Sequence, residues 1–155
     1  MSILIIRHAS AGARGSMGPD ADMDRPLDAL GLEQSQVLAD QLCSRDISQL
    51  LTSPARRCQQ TLEPLADKTG LEIEDHPALL EGQSALGAEM LVRDLARDGT
   101  TAALCSHGDI IPDLIQILAR QGMTIVGPRS WAKGSTWELR TKGSDIVQAE
   151  FLGPY

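Results

Sequence analysis

The chain has 155 residues, 42% of them hydrophobic, and a formal charge of −7. That length is enough to bury the core of one domain over residues 1–155, and the acidic balance excludes a general nucleic-acid or anionic-membrane surface, which needs a positive field. Only 3% of the residues are aromatic, so the core must be built from Leu, Ile, Val and Ala.

No stretch approaches the roughly 20 apolar residues of a membrane span, and the opening apolar run is too short for a signal peptide. Cys43, Cys58 and Cys105 form no CxxC pair. A reducing, cytoplasmic location is the expectation. His8, His76, His107 and a cysteine lack the spacing of a zinc site, so no metal and no other cofactor is expected.

The chain opens on Ser2-Ile3-Leu4-Ile5-Ile6-Arg7-His8, an apolar, β-branched run without polar alternation. It reads as a strand covered on both faces, as in a parallel sheet, with Arg7 and His8 at its carboxyl end. Residues 9–26 follow as a long loop rich in Gly, Ala, Ser, Asp and Arg, with no Gly-Lys-Ser/Thr of a phosphate-binding loop. Asp28 caps a predicted helix in which Leu30, Val37, Leu38 and Leu42 form the apolar stripe and Glu33, Gln34, Gln36 and Asp40 face water.

A second strand is predicted over 49–52. The helix after it is expected to start with Ser53 as N-cap and Pro54 in the first position, and to kink or split at Pro64 before Gly70. Arg56 and Arg57 then lie in the first turn, where basic side chains oppose the helix dipole unless an anion satisfies them. A short strand is predicted over 71–76, then a helix over 86–98 with Met90, Leu91 and Leu95 inward. The apolar run from Thr101 ends in Ser106-His107-Gly108-Asp109, and a helix over 109–121 turns Leu114, Ile117 and Leu118 inward. Two β-like runs, 135–140 and 146–152, suggest a terminal hairpin. The expected architecture is an α/β three-layer sandwich: a mostly parallel central sheet, helices on both faces and a C-terminal antiparallel hairpin.

If the two histidine-terminated strands are parallel, His8 and His107 share one sheet edge, the usual place for a ligand crevice. Arg7 and Arg57 arrive at the same edge. An imidazole amid such positive charge suits phosphoryl transfer, because arginine forks bind the spread negative charge and a neutral imidazole can attack phosphorus.

Four separated segments resemble, in order, the signature of the histidine phosphatase superfamily, the phosphoglycerate-mutase-like fold. They are Arg7-His8-Ala9; Arg25-Pro26-Leu27 with Gly31 after it; Ser53-Pro54 with Arg57, Gln60 and Thr61; and Ser106-His107-Gly108. The resemblance covers essentially the whole chain. Ala9, where the family commonly has Gly, is the form of its small phosphohistidine-phosphatase-like branch. Arg57-Cys58, Glu63-Pro64-Leu65, Ile111-Pro112-Asp113-Leu114-Ile115 and Lys133-Gly134-Ser135-Thr136-Trp137 are similar to the phosphatase domains fused behind Nudix domains in some bacterial proteins, although no Nudix box is present.

The resemblance implies that His8 is the nucleophile that becomes phosphohistidine and that Arg7, Arg57 and His107 hold the phosphoryl oxygens. Glu81 matches more weakly, as a general acid following the third strand. Arg25 is a candidate for the phosphate rim, with Ser10, Arg14 and Lys133 as accessory substrate-binding candidates. The implied activity is a metal-independent phosphatase acting on a phosphorylated small molecule, a nucleotide or a phosphoprotein, with possible functional association with a Nudix-type or phosphorelay protein. A non-catalytic anion-binding module on the same fold stays open as the alternative, with a phosphomutase behind it.

Overall fold

The computed structural model describes residues 1–15 and 18–154, so the part of the 9–26 loop at positions 16 and 17 lies outside the described residues. In chain order the elements are β1 (Ser2–Arg7), α1 (Pro19–Met23), α2 (Ala29–Leu42), β2 (Gln49–Thr52), α3 (Arg56–Thr69) and β3 (Ile73–Asp75). A 3₁₀ turn (Pro77–Leu79) leads to α4 (Ala85–Arg97), β4 (Ala102–Ser106), α5 (Ile110–Arg120), β5 (Thr124–Val126), β6 (Thr136–Lys142) and β7 (Asp145–Gly153).

The seven strands form one sheet in the order β3-β2-β4-β1-β6-β7-β5. Strand β1 lies parallel to β4, with Ile3 opposite Ala102 and Arg7 opposite Ser106. Strand β6 runs antiparallel to both of its neighbours, β1 and β7. The mostly parallel sheet with a terminal hairpin is therefore present. Gly143, at φ +60°, supplies the positive φ that the tight turn between β6 and β7 demands.

Alternation along β1 divides the core into two layers. Ile3 and Ile5 pack with Val92, Leu95, Leu114 and Leu118 of α4 and α5. Leu4 and Ile6 face the other way, onto Leu38 and Leu42 of α2 and Leu62 and Leu65 of α3. Burying both faces explains why β1 and β4 carry no polar alternation.

Several details differ from the sequence-based expectation. Leu30 and Val37 are exposed, and α2 instead buries Gly31, Ser35 and Ala39 beside Leu38 and Leu42. Close approach to the chain after β1 is the reason: a Cβ on Gly31 would lie 1.9 Å from the Ser10 carbonyl oxygen. Gln34 does not simply face water, since its Oε1 accepts the Ser10 N–H at 2.8 Å. In α4 Met90 is exposed while Ala85, Ala88 and Ala96 are buried, so small residues set that contact too. Ile117 of α5 is only half-buried.

Helix α3 begins at Arg56 with Ala55 as its cap, and it continues through Pro64 to Gly70 at φ +74°, neither capped by Ser53 nor split. Proline costs that helix one backbone hydrogen bond, and packing of its buried stripe onto the sheet outweighs the loss. The helix α1 inside the 9–26 loop and the edge strand β5 were not expected. Five and three residues are too few to display a period.

Candidate active site

Strands β1 and β4 end level with each other, and the residue after each is a histidine. The His8 N–H donates to the Ser106 carbonyl at 3.0 Å, locking the two strand ends together. The His8 and His107 rings meet edge to face with centroids 5.4 Å apart. His8 Nδ1 lies 2.8 Å from the Ala9 carbonyl oxygen. A carbonyl only accepts, so Nδ1 carries the proton and Nε2 keeps its lone pair. Desolvation by burial lowers the His8 pKa to about 3; the Ala9 carbonyl opposes it, and the nearby His107, Arg57 and Arg7 add smaller downward pushes. The imidazole is thus held neutral, in one tautomer.

Arg7 is fixed from behind. Its Nη1 donates to the Trp131 carbonyl at 2.5 Å, its backbone N–H donates to Ser135 and its carbonyl accepts from Gly134. Burial pushes its guanidinium pKa down while Glu81 and Asp109 pull it up. Gly108 makes room for it: a Cβ there would lie 2.7 Å from Arg7 Cζ.

Arg57, in the first turn of α3, is 1% exposed. It donates to the Asp22 carbonyl at 2.9 Å, to Glu81 Oε2 at 3.0 Å and to His107 Nδ1 at 3.3 Å. Guanidinium has no acceptor, so the ring proton of His107 sits on Nε2, which donates to Ser53 Oγ at 2.7 Å. The Nε atoms of Arg7 and Arg57 are buried without a partner among the described residues. Both are donors that an oxyanion would satisfy.

The matched family model, the histidine phosphatase superfamily (branch 1), aligns with residues 3–85. This chain belongs to the histidine phosphatase superfamily. It is 31% identical over 156 residues to the 8-oxo-(d)GTP phosphatase of Mycolicibacterium smegmatis, a match that covers 99% of this chain and 48% of that protein. It is 31% identical over 81 residues to the "Probable phosphoglycerate mutase GpmB" of Yersinia enterocolitica, covering 52% of this chain and 38% of the relative. The chain thus spans about half, or less, of the length of these curated relatives. The fold is similar to that of the protein histidine phosphatase SixA complexed with tungstate, with a TM-score of 0.77 and 24% identity over 99% of this chain and 95% of that one.

In this histidine phosphatase fold, Arg7, His8, Arg14, Arg25, Glu81 and Lys133 line one pocket of about 270 Å³, together with Gly12, Gly108 and Asp109. Arg57 and His107 adjoin it through Glu81 and His8. Glu81 is held on both oxygens, Oε1 by Arg14 at 2.7 Å and Oε2 by Arg57. Arg25 is tied to Asp22 at 3.0 Å. Ser10 is not brought into the lining: its hydroxyl donates to Asp28 Oδ2 at 2.8 Å, which fixes the start of α2.

Sequence reasoning passed over Asp22, Asp109 and the structural part of Ser53. Asp109 Oδ2 accepts the Gly82 N–H at 2.8 Å and so anchors the loop that carries Glu81. Its place directly after Ser106-His107-Gly108 was a usable signal. Asp22 braces Arg25 and Arg57 from α1, a helix too short to show a period, and nothing local marks it. No group of three or more His, Cys, Asp or Glu among the described residues is arranged to hold a metal ion.

Proposed function

We propose that this chain is a metal-independent phosphatase working through a phosphohistidine on His8. The observation that supports the reading is the His8 tautomer: a buried, neutral imidazole whose Nδ1–H is spent on the Ala9 carbonyl, so that the Nε2 lone pair is available beside two arginines. An anion-binding module needs the arginines but has no use for that lone pair.

In the first step Nε2 attacks phosphorus and forms the P–N bond as the P–O bond to the leaving group breaks. Arg7 and Arg57 would take the non-bridging oxygens, supplying the charge stabilisation on which phosphoryl transfer depends, while His107, whose ring nitrogens are spent on Arg57 and Ser53, would orient Arg57 instead of holding the third oxygen itself. The leaving oxygen needs a proton, and Glu81, which lines the pocket, would be its donor. Arg25, Arg14 and Lys133 would hold the rim. Water then attacks the phosphohistidine, breaking the P–N bond and releasing inorganic phosphate.

The substrate classes that fit are a phosphorylated small molecule, a nucleotide or a phosphoprotein, including phosphohistidine. The name of the mycolicibacterial relative puts nucleotides first in a screen. Functional association with a Nudix-type or phosphorelay protein, and a place in the cytoplasm, belong to this proposal as well.

The test is to trap the enzyme from a ³²P-labelled substrate in excess EDTA. An acid-labile, alkali-stable phosphoenzyme that discharges to water supports the reading. Activity lost in EDTA and restored by a divalent ion refutes it, and discharge mainly to a second hydroxyl of a metabolite would make the protein a mutase.

A further inference from the structure

A second cavity, of about 550 Å³, lies between α5, β5 and the 127–131 segment. It is about twice the size of the catalytic pocket and within the roughly 300–1,000 Å³ of small-molecule sites. Ile115, Ile125 and Trp131 are apolar lining residues that belong to, or pack on, the core. The Trp131 ring is stacked on Trp137, centroids 5.1 Å apart at 22°, so the aromatic surface is backed by a second ring.

Arg120 and Arg129 also line this cavity. Three other arginines have acidic partners: Arg93 pairs with Glu89, Arg97 with Asp94 and Arg140 with Glu138 and Glu150. Arg120 and Arg129 have none among the described residues. The C-terminal dipole of α5 accounts for Arg120, which lies in its last turn. It does not account for Arg129, which lies on a loop. Two guanidiniums without a carboxylate partner among the described residues, at an aromatic floor on a chain of net charge −7, are complementary to a flat apolar body carrying an anionic group.

The cavity shares a wall with the catalytic strand end. The Trp131 carbonyl accepts from Arg7 Nη1. Three residues on, Gly134 N–H donates to the carbonyls of Arg7 and His8.

We propose that this cavity is a second binding site, for a small planar aromatic anion, and that its occupancy is felt at Arg7 through the Trp131 carbonyl. A ligand seated against Trp131 moves or stiffens the acceptor that sets the Arg7 fork, so anion affinity in the catalytic pocket changes with it. Thermodynamic linkage makes the effect reciprocal.

The test uses 2-naphthalenesulfonate, which is planar, anionic and has no phosphoester to hydrolyse. Binding is read from tryptophan emission of the full chain, whose two tryptophans are Trp131 and Trp137. A saturable change is expected, weakened about tenfold by R120A and by R129A, much weaker with uncharged 2-naphthol, and absent with sulfate alone. Saturating inorganic phosphate should shift the affinity for the probe by a fixed factor that reaches a plateau. The probe should shift phosphate affinity by the same factor.

No saturable binding, or binding untouched by R120A and R129A, overturns the site. Competition by phosphate that never reaches a plateau places the probe in the catalytic pocket and overturns it equally. A probe affinity indifferent to phosphate overturns the link to Arg7. None of these readouts requires turnover, so failure of the phosphatase reading and failure of this proposal are separable.

Discussion

Arg57 donates to Nδ1 of His107 across 3.3 Å, and that contact decides which nitrogen of His107 carries the proton. The same Nη2 also reaches Glu81 Oε2 at 3.0 Å, so one buried guanidinium organises both the second histidine and the candidate acid. Arg57→Ala should therefore lower both affinity for phosphate and turnover, with kcat/KM falling on the order of 10² to 10³. Arg57→Lys should recover little, because an ammonium cannot fork between these acceptors. Steady-state kinetics of both variants checks this, and near-complete recovery by lysine would contradict it.

His8→Ala should remove turnover by on the order of 10⁴ or more and abolish the phosphoenzyme. Phosphate should still bind weakly through the arginines. Acid-quench labelling and calorimetric titration with inorganic phosphate read the two effects apart. A phosphoenzyme that persists in the variant would move the nucleophile elsewhere.

The lowered pKa of His8 makes a prediction for stability. Above pH 6.5, its ordinary value, both folded and unfolded chains leave it neutral and it contributes nothing. As pH falls from 6.5 toward about 3, the unfolded chain takes up the proton and the folded one does not. Stability is lost in that window at about 1.4 kcal/mol per pH unit from this group. His8→Asn, which cannot titrate, should thus flatten the decline between pH 7 and pH 5 by about 2 kcal/mol in urea denaturation. Parallel declines for the two proteins would refute the buried neutral state.

Glu81→Gln separates general-acid catalysis from simple bracing of Arg14 and Arg57. Protonation of the leaving oxygen matters most for poor, high-pKa leaving groups, so alkyl phosphates should suffer about 10² or more while aryl phosphates lose little. Equal losses on both classes would retire Glu81 as the acid.

Gly108→Ala and Gly31→Ala should fail in different ways. At position 108 the new Cβ meets the end of the Arg7 side chain at 2.7 Å, and that side chain is displaced. Activity should drop by about 10² with stability nearly unchanged. At position 31 the new Cβ meets the Ser10 carbonyl at 1.9 Å, which is backbone. There the fold should lose ~3 kcal/mol. Thermal melts beside kinetics for both variants check the contrast.

Much of the candidate site was legible in the chain because it depends on local features. Apolar runs without alternation mark doubly covered strands, and each carries its own histidine at its carboxyl end. Once β1 and β4 pair in parallel, Arg7, His8 and His107 converge. Helix positions with clear period and punctuation, such as the end of α3 at Gly70, follow from the sequence for the same reason.

What tertiary structure alone decided are the contacts between segments with no local mark. Leu30, Val37 and Met90 have the apolar character and spacing of core residues, yet they are exposed because close approach of neighbouring segments selects Gly31, Ser35, Ala39 and Ala88 for the buried faces. Ser53 is suited to capping α3, but it accepts from His107 because the β4 end lies within hydrogen-bond reach. Ser10 stands beside the carboxyl end of β1 yet is spent on Asp28, and Asp22, from a helix too short to show a period, braces Arg57. Periodicity reports which side of an element is apolar. Which polar group a side chain meets depends on distances across the fold, and only the packed chain sets those.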